Sequence, residues 1–339
     1  MDADPLPSPA PFLVTGASGF VGSAVARALA SRGHPLRLLV RPSSDRANLQ
    51  GLDAELAVGD LLDPASLARA VQGCAALFHV AADYRLWVPD PEAMMKANVA
   101  GTVALMRAAC EAGVARVVYC SSVAALGQIG DGTPADENTP NDPAKIVGAY
   151  KKSKYLAEQA VRDLVRDESL PAVIVNPSTP VGPRDIKPTP TGKTIRDAAA
   201  GKIPAYIDTG LNIVHVDDVA EGHVLAYERG RIGESYILGG EDFLLRDLLR
   251  LIAEVAGQKP PTIALPSAAL YPVALGCELA ARLFHIDPLV TREMLVMARK
   301  KMFFSSAKAR RELGYAPRPA REAIVDAVAW FRAHRKLAA

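Results

Sequence analysis

The residues best suited to acid–base chemistry are a tyrosine and a lysine four positions apart. Tyr150 and Lys154 lie in a segment that is predicted to begin a helix, so both side chains would project from the same face. A phenol ordinarily ionises near pH 10, but an ammonium group one turn away favours the phenolate and lowers its pKa. Ser122 ends an apolar strand earlier in the chain, where its hydroxyl could bind the same substrate oxygen. Together these residues predict proton transfer to or from that oxygen.

A glycine-rich segment near the N-terminus predicts a phosphate-binding turn. Residues 15–22 read TGASGFVG, with G-x-x-G-x-x-G spacing where the first apolar run meets the first helical pattern. Such glycines make a tight turn, let the backbone approach a pyrophosphate and let helix and strand pack closely, and the helix N-terminus offers free N–H groups. The residues predicted to bind are Gly16, Ser18, Gly19, Phe20, Val21 and Gly22. The alternative is a glycine-rich turn without a ligand.

The end of the second apolar run indicates which dinucleotide would bind. An NAD site commonly has an acidic residue there, which bonds the ribose 2′-hydroxyl. This chain has Arg41, with Arg37 on the same run and Arg46 downstream. An arginine can pair with a 2′-phosphate. The sequence therefore favours NADP as the cofactor, with NAD as the alternative, unless Arg41 is only a solvated side chain beside a turn.

The elements that would position these residues alternate along the first half of the chain. Apolar strands are predicted at 12–15, 36–40, 54–58, 76–80, 116–120 and 172–176, with helices between them. Apolar runs without polar alternation, separated by helices, are typical of a parallel sheet covered on both faces. The prediction is an α/β, doubly wound Rossmann fold with a smaller, mostly helical C-terminal substrate lobe.

Proline-rich sequence after Asn176 predicts where the first domain ends. Residues 177–192 contain five prolines, too many for regular structure. We therefore divide the chain into a flexible tail (1–11), a dinucleotide-binding domain (12–176, with 211–240 returning to it) and a substrate-binding lobe (177–210 and 241–336).

Composition and charge exclude several classes of protein. The 339 residues contain 39 Lys or Arg and 37 Asp or Glu, so the net charge gives no argument for a nucleic acid partner. The four cysteines form no C-x-x-C pair, which predicts neither a disulfide scaffold nor a metal site and fits the reducing cytoplasm. The apolar segment 268–284 is short and charged for a membrane span. It predicts a buried or amphipathic helix, with peripheral membrane contact as the alternative.

Six motifs occur in the order typical of one enzyme family. They are Thr15–Gly22, Asp60-Leu61, His79–Ala82, Asn98, Ser121-Ser122 and Tyr150-x-x-x-Lys154. The chain thereby resembles the extended short-chain dehydrogenase/reductase family over roughly residues 12–332. Through residues 82–87, 176–185 and 206–210 it is similar to the hopanoid-associated sugar epimerase subgroup, which itself resembles dihydroflavonol 4-reductases and 3β-hydroxysteroid dehydrogenases.

The resemblance implies a role for each matching residue. Tyr150 would be the acid–base group, Lys154 would also hold the nicotinamide ribose, and Ser122 would orient the substrate oxygen. The remaining cofactor contacts would be Asp60 and Leu61 at the adenine, and Ala81, Ala82, Pro177 and Ser178 at the nicotinamide. His79 is expected to be structural. A small-molecule substrate and a homodimer are further expectations of the resemblance.

Aromatic residues near the predicted cleft indicate an apolar substrate. Tyr84, Trp87 and Tyr206, with the apolar segment 268–284, suit a polycyclic lipid or one bearing a sugar-like side chain, although they could equally pack the lobe. Arg184 and Arg231 are the only candidates for binding the diphosphate of a nucleotide sugar.

Three functions remain open on these residues. The first is NAD(P)-dependent interconversion of an alcohol and a ketone on a bulky apolar substrate, similar to a hopanoid, terpenoid or steroid. The second is a sugar epimerase that oxidises an alcohol transiently with tightly held NAD, although Ala124 stands where such epimerases often have threonine. The third is a non-catalytic NADP sensor, which would need none of the serine, tyrosine and lysine.

Overall fold

The computed structural model describes residues 9–85, 90–129, 131–284, 290–298 and 300–334. In these ranges the strands are β1 (Phe12–Thr15), β2 (Leu36–Val40), β3 (Glu55–Val58), β4 (Ala76–His79), β5 (Arg116–Cys120), β6 (Ala172–Pro177), β7 (Thr179–Val181), β8 (Ala205–Ile207), β9 (Gly210–His215), β10 (Ser235–Leu238), β11 (Glu241–Leu244), β12 (Ile263–Leu265) and β13 (Lys301–Met302). The helices are α1 (Phe20–Ala30), α2 (Pro64–Val71), α3 (Pro91–Met95), α4 (Gly101–Glu111), α5 (Ala149–Glu168), α6 (Pro190–Ala199), α7 (Val216–Arg229), α8 (Leu245–Ala256), α9 (Tyr271–Phe284), α10 (Arg292–Met297), α11 (Ala307–Leu313) and α12 (Ala320–Ala333).

Seven strands form a parallel sheet in the order β10-β6-β5-β4-β1-β2-β3. β1, β4 and β6 are buried along their whole length, as expected for strands covered by helices on both faces. The winding direction reverses between β1 and β4, and the crevice outside the carboxyl ends of strands at such a point is where open α/β sheets bind ligands. The predicted doubly wound Rossmann fold is confirmed.

Helices cover both faces of this sheet. α1 and α7 pack together on one face, where Val25 and Leu29 join an apolar cluster with Val219. α2, α4 and α5 cover the opposite face around a second cluster that includes Leu67 and Leu105. Because α1 and α5 each follow a strand of the parallel sheet, both helices begin at its carboxyl edge.

The smaller lobe combines helices with two short sheets. β9 pairs with β7, β11 and β13, and β8 pairs with β12. α6, α8 and α12 pack beside them around Ile195, Leu248 and Phe331. Of the segment 211–240, which we expected to return to the first domain, α7 and β10 pack with the seven-stranded sheet, whereas β9 belongs to the smaller one.

α9 presents large apolar side chains to solvent. Its buried residues include Ala274, Glu278 and Ala281. The exposed apolar side chains on it are Tyr271, Val273, Leu275, Leu279, Leu283 and Phe284. Of the two expectations for this segment, a fully buried helix is wrong, because only one side of α9 is buried and its large apolar side chains lie on the exposed side. In the part of the chain that the structure describes, no helix is both long and apolar enough to cross a membrane.

Candidate active site

The glycine-rich turn between β1 and α1 forms a cradle at the carboxyl edge of the sheet. Gly16 has a φ of +73°, and a Cβ there would lie 2.8 Å from the backbone nitrogen of Ala81. A Cβ on Gly22 would lie 2.1 Å from the Gly16 carbonyl oxygen. Gly19 caps α1 without a side-chain hydrogen bond, and the first turn carries no acidic residue, which leaves its N–H groups available to an anion. Ser18, Phe20 and Val21 complete this segment.

A buried histidine ties the turn to the neighbouring strand. His79 Nδ1 lies 2.8 Å from the Thr15 hydroxyl, and Nε2 lies 2.9 Å from the Thr102 hydroxyl. Thr15 Oγ1 also accepts from the N–H of Ala81. Thr102 donates its single proton to the Asn98 carbonyl, so it accepts from the histidine, which is the neutral Nε2–H tautomer. Burial lowers the pKa of His79 to about 3, and the residue holds the turn in place.

Asn98 connects the loop after β4 to the start of α5. It is buried in a π-helical turn, a geometry often found at functional sites. Its Nδ2 donates to the Asp83 carbonyl at 2.8 Å and to Ser153 Oγ at 2.9 Å. Ser153 Oγ in turn donates to the Tyr150 carbonyl at 2.8 Å. Asn98 therefore helps to set the position of Tyr150, a role that the sequence motif did not reveal.

Ser122 and Tyr150 meet at the carboxyl end of β5. Ser122 begins a short 3-10 turn, and its hydroxyl accepts from the Ala124 N–H at 3.1 Å. The same hydroxyl interacts with the Tyr150 phenol and favours the phenolate. Burial has the larger effect and raises the pKa of Tyr150 to about 12. The phenol is therefore protonated at neutral pH and can donate to an oxygen placed against both hydroxyls.

Lys154 lies one turn farther along α5 and is almost fully buried. Its ammonium donates to the Cys120 carbonyl at 2.9 Å and lies 5.2 Å from the centre of the Tyr119 ring. Burial lowers the pKa of Lys154 itself. The expectation that Lys154 lowers the pKa of Tyr150 is wrong in this structure, because desolvation dominates at the phenol and the ammonium is bound to the backbone.

The residues predicted to hold the adenosine end follow neighbouring strands. Arg41 follows β2, where its side chain is exposed and its N–H donates to Ser44 Oγ. Asp60 and Leu61 follow β3, and a Cβ on Gly101 would lie 2.8 Å from the Leu61 Cβ. Ala81 and Ala82 follow β4. The parallel sheet therefore brings these residues to its carboxyl edge, on both sides of β1.

Two arginines named with the phosphate contacts lie elsewhere. Arg37 Nε donates to Glu55 at 2.8 Å, and its Nη1 donates to two backbone carbonyl groups, so both of these nitrogens are used within the protein. Arg231 precedes β10 at the amino edge of the sheet, where it pairs with Glu312. Neither arginine can serve the nucleotide or diphosphate role that the sequence suggested.

Arg184 lies beside the glycine-rich turn. Its carbonyl accepts from Asn48 Nδ2 at 3.1 Å, and the same amide nitrogen donates to the Ser18 carbonyl. The Arg184 guanidinium pairs with Asp217 in the first turn of α7. Its φ of +74° is unusual for a residue with a side chain. We therefore correct its predicted position from the substrate side to the nucleotide side of the cleft.

Pro177 and Ser178 lie at the end of β6, beside the Ser122 strand. The Ser178 N–H donates to the Leu238 carbonyl at 3.2 Å, whereas its buried hydroxyl has no hydrogen-bond partner among the described residues. Such a hydroxyl is costly unless a ligand satisfies it. The glycine cradle and this free hydroxyl fit a dinucleotide with its nicotinamide near Ser178. No cluster of metal-ligating side chains occurs among the described residues.

The residues predicted to contact substrate are not gathered into one wall. Tyr84 follows β4 with 44% of its surface exposed, and partial burial with the Asp185 and Asp83 carboxylates raises its pKa. It therefore lies within electrostatic reach of the proline-rich segment. Tyr206 lies in β8 and packs against the apolar cluster of the smaller lobe. Trp87 lies outside the described residues.

Three polar residues that hold the site were not predicted from the sequence. Thr102 binds His79, Asn48 joins the glycine-rich turn to Arg184, and Asn176 Nδ2 donates to the Ser122 carbonyl at 3.1 Å. Thr102 could have been found from its i+4 spacing to Asn98, and Asn176 from its place at a strand end. Asn48 carries no local signal, because its partners are distant in the sequence.

Known proteins resemble this chain over nearly its full length. A protein of Synechocystis sp. provisionally named dihydroflavonol 4-reductase is 43% identical over 327 residues, 95% of this chain and 95% of the relative. Sterol demethylase protein B of Methylococcus capsulatus is 35% identical over 323 residues, 94% of this chain and 98% of the relative. The crystal structure of a protein designated gox2253 matches with a TM-score of 0.87 and 67% identity, covering 96% of this chain and 98% of that one.

The family assignment comes from the part of the chain that contains the site. The sequence profile described as "NAD dependent epimerase/dehydratase family" matches residues 12–239. This range includes the glycine-rich turn, Ser122, Tyr150 and Lys154. The resemblance to extended short-chain dehydrogenase/reductases is thereby confirmed, and the chain is an enzyme of the NAD dependent epimerase/dehydratase family.

Proposed function

We propose that this enzyme interconverts an alcohol and a ketone on a bulky apolar substrate, with NADP preferred over NAD. The observation that carries the proposal is the pair of hydroxyls of Ser122 and Tyr150, which interact at the carboxyl end of β5. A nicotinamide cofactor supplies or accepts the hydride when it is bound. The protein's own residues must then bind the substrate oxygen and move one proton.

The chain's residues divide this work between them. In the direction of reduction, Tyr150 donates its phenolic proton to the substrate oxygen, and the Ser122 hydroxyl orients that oxygen. A phenol whose pKa burial raises to about 12 holds this proton throughout the neutral range. Lys154 keeps a cation beside the site, where it can bind ribose hydroxyls. Because the phenol is protonated before the reaction, the protein is set up for reduction of the ketone.

The preference for NADP rests on the residue that follows β2. Arg41 is exposed there, and no hydrogen bond to its guanidinium is found among the described residues. A 2′-phosphate would provide a charge-assisted partner for it. Titrating the purified enzyme with NADPH and with NADH tests this point. Tighter binding of NADH would contradict it.

The proposal of an apolar substrate rests on the helices next to Tyr150. A Cβ on Gly148 would lie 1.7 Å from Glu293 Oε1, so α10 reaches the start of α5. α9 packs against α10 and exposes the apolar side chains described above. The sterol after which one relative is named belongs to the same chemical class. The exposed apolar side chains of α9, which packs against α10, support an apolar substrate.

A substrate panel tests the proposed function. Polycyclic and long-chain ketones, matched alcohols and nucleotide sugars are incubated with both nicotinamide cofactors, and cofactor absorbance is followed. We expect oxidation of NADPH with an apolar ketone. Turnover confined to nucleotide sugars, without net change in cofactor absorbance, would instead identify an epimerase.

Epimerisation remains a second candidate, because the matching family includes epimerases by name. It would use the same Ser122 and Tyr150 hydroxyls and would need NAD that stays bound between turnovers. Mass spectrometry of the nucleotide that co-purifies with the enzyme separates the two functions. Stoichiometric NAD favours the epimerase, and an empty protein that prefers NADPH favours the reductase.

A further inference from the structure

The inner face of α5 continues beyond the tyrosine and lysine. Tyr150, Lys154, Glu158 and Arg162 follow one another at intervals of four residues, so they form one row along the helix. Glu158 is only 2% exposed. A buried carboxylate is costly unless it is paired and hydrogen-bonded. Its partners therefore indicate what it does.

Both carboxylate oxygens of Glu158 are bound. Oε1 accepts from Arg162 Nη2 at 2.8 Å, and that nitrogen also donates to Ser235 Oγ at 2.9 Å. Oε2 accepts from Asn176 Nδ2 at 2.7 Å. The salt bridge to Arg162 by itself would be an ordinary structural pair, whereas the bond to Asn176 leads to the active site.

Asn176 connects Glu158 to Ser122 by hydrogen bonds. Its Nδ2 donates one hydrogen to Glu158 and the other to the Ser122 carbonyl at 3.1 Å. The opposite orientation of the amide would place its oxygen against two acceptors, so the carboxylate fixes which way the amide points. The Ser122 carbonyl is thereby held one residue before the 3-10 turn, and the hydroxyl of the same residue interacts with the Tyr150 phenol.

Glu158 also acts on the lysine in its row. Lys154 is buried, and burial lowers its pKa, while Cys120 at the end of β5 and the Glu158 carboxylate one turn away oppose that effect. A single buried acid therefore influences two of the three site residues. The route to Ser122 runs through hydrogen bonds, and the route to Lys154 is electrostatic.

We propose that Glu158 is a positioning residue of the active site, which holds Ser122 through Asn176 and maintains the ammonium of Lys154. It touches neither substrate nor cofactor. The activity readout of this inference rests on the proposed function, whereas the charge of Lys154 can be measured without turnover.

Glu158→Gln keeps the size of the side chain and removes its charge. We expect kcat to fall roughly 10- to 100-fold with KM changed less than about threefold, since small displacements of reacting groups have effects of this size. The high-pH limb of the rate profile, which we assign to loss of the Lys154 proton, should move to lower pH. Asp163→Asn is the matched control, because Asp163 is an exposed acid of the same helix and pairs with Arg166. It should leave rate and profile unchanged.

Asn176→Ala separates the two routes. It breaks the hydrogen-bond route and leaves the Glu158 charge in place, so kcat should fall without a shift of the high-pH limb. A lysine Nζ NMR titration, assigned with Lys154→Met, reads the electrostatic route directly in the cofactor-free enzyme. We expect the Lys154 titration to move to lower pH in Glu158→Gln only.

Each outcome decides the inference. A Glu158→Gln enzyme with wild-type kcat and an unmoved Lys154 titration would overturn it. A loss of rate matched by an equal loss of folded, nucleotide-binding protein, again with Lys154 unmoved, would show a purely structural role. If no ketone is turned over, the proposed function fails, while the NMR comparison still tests Glu158.

Discussion

The proposed nucleotide side of the cleft (β1, α1 and β4) and the proposed substrate side (Tyr84, α9 and α10) are built differently. On the nucleotide side, Gly16 and Gly22 have no room for a Cβ, and both ring nitrogens of His79 are hydrogen-bonded to threonine hydroxyls. On the substrate side, Tyr84 and most of α9 are open to solvent. Close contacts between backbone atoms fix the shape of the nucleotide side, whereas side chains that can be replaced form the substrate side. The first region should tolerate little change, and the second should tolerate much.

The largest effect is expected where the two sides meet. Tyr150→Phe removes the proton donor without changing the fold, so turnover should fall about 10²–10⁴-fold while nucleotide affinity stays the same. Steady-state kinetics and a fluorescence titration of NADPH measure the two quantities. Tyr155→Phe, five residues along the same helix and on another face, is the control and should keep full activity. Near-normal turnover by Tyr150→Phe would show that another group supplies the proton.

A matched pair of glycine substitutions compares the two sides directly. In Gly22→Ala the new Cβ would lie 2.1 Å from a backbone oxygen, so stability should fall by at least about 3 kcal/mol and nucleotide binding should be lost. Gly276 lies in α9, and outside its own helical turn no atom of the described residues lies within 4 Å of the Cβ position. Gly276→Ala should therefore stabilise by about 0.5–1 kcal/mol through helix propensity. Urea unfolding measures both changes in stability. Equal changes would show that the two sides of the cleft do not differ in their tolerance of a Cβ.

Arg41 tests whether the exposed part of the nucleotide side carries specificity. A lost arginine–phosphate contact is worth about 1.5–3 kcal/mol, so Arg41→Ala should weaken NADP roughly ten- to a hundredfold and leave NAD nearly unchanged. Arg69→Ala, an exposed arginine on α2, is the control. Equal losses for both nucleotides in calorimetric titrations would mean that Arg41 does not bind the 2′-phosphate.

The smallest effect concerns a buried histidine outside the cleft. Burial lowers the pKa of His223 to about 4, so below its ordinary value near 6.5 the unfolded chain binds a proton that the folded protein does not. The free energy of unfolding therefore keeps its full value above pH 6.5 as far as His223 is concerned. It decreases by about 1.4 kcal/mol per pH unit as the pH falls from there towards 4.

His223→Leu should remove that dependence. The free energy of unfolding of the variant, measured in urea, should therefore decrease by about 1.4 kcal/mol less than that of the wild type between pH 7 and pH 5.5. His334→Gln, at an exposed position, should behave as the wild type does. Parallel curves for wild type and His223→Leu would refute the assignment.

The sequence predicted the sheet and the glycine-rich turn because both depend on local patterns. Each apolar run became a strand, and Gly22 packs on Gly16 as its spacing required. It also placed Ser122, Tyr150 and Lys154 at one edge of the sheet. A helical period of four and the strand-end rule were sufficient for that.

What the sequence did not predict depends on burial and on distant partners. The raised pKa of Tyr150 comes from desolvation, which a spacing rule does not contain. Arg184 was assigned to the substrate, although Asn48 draws it to the glycine-rich turn. Glu158 was overlooked because its contact with Asn176 joins a helix to a strand. The homodimer, the domain boundaries and the cytoplasmic location stay predictions.

β10 is synthesised well after β6, the strand with which it pairs, and this order affects folding during synthesis. β6 ends at Pro177, whereas the strand that covers its free edge ends only at Leu238. At synthesis rates of about 5–20 residues per second, the emerging chain carries a largely apolar, unpaired strand edge for several seconds. Such an edge invites pairing with other chains. Slow translation or heavy overproduction should therefore favour aggregation through β6, and chaperones that cover this strand should raise the yield of soluble enzyme.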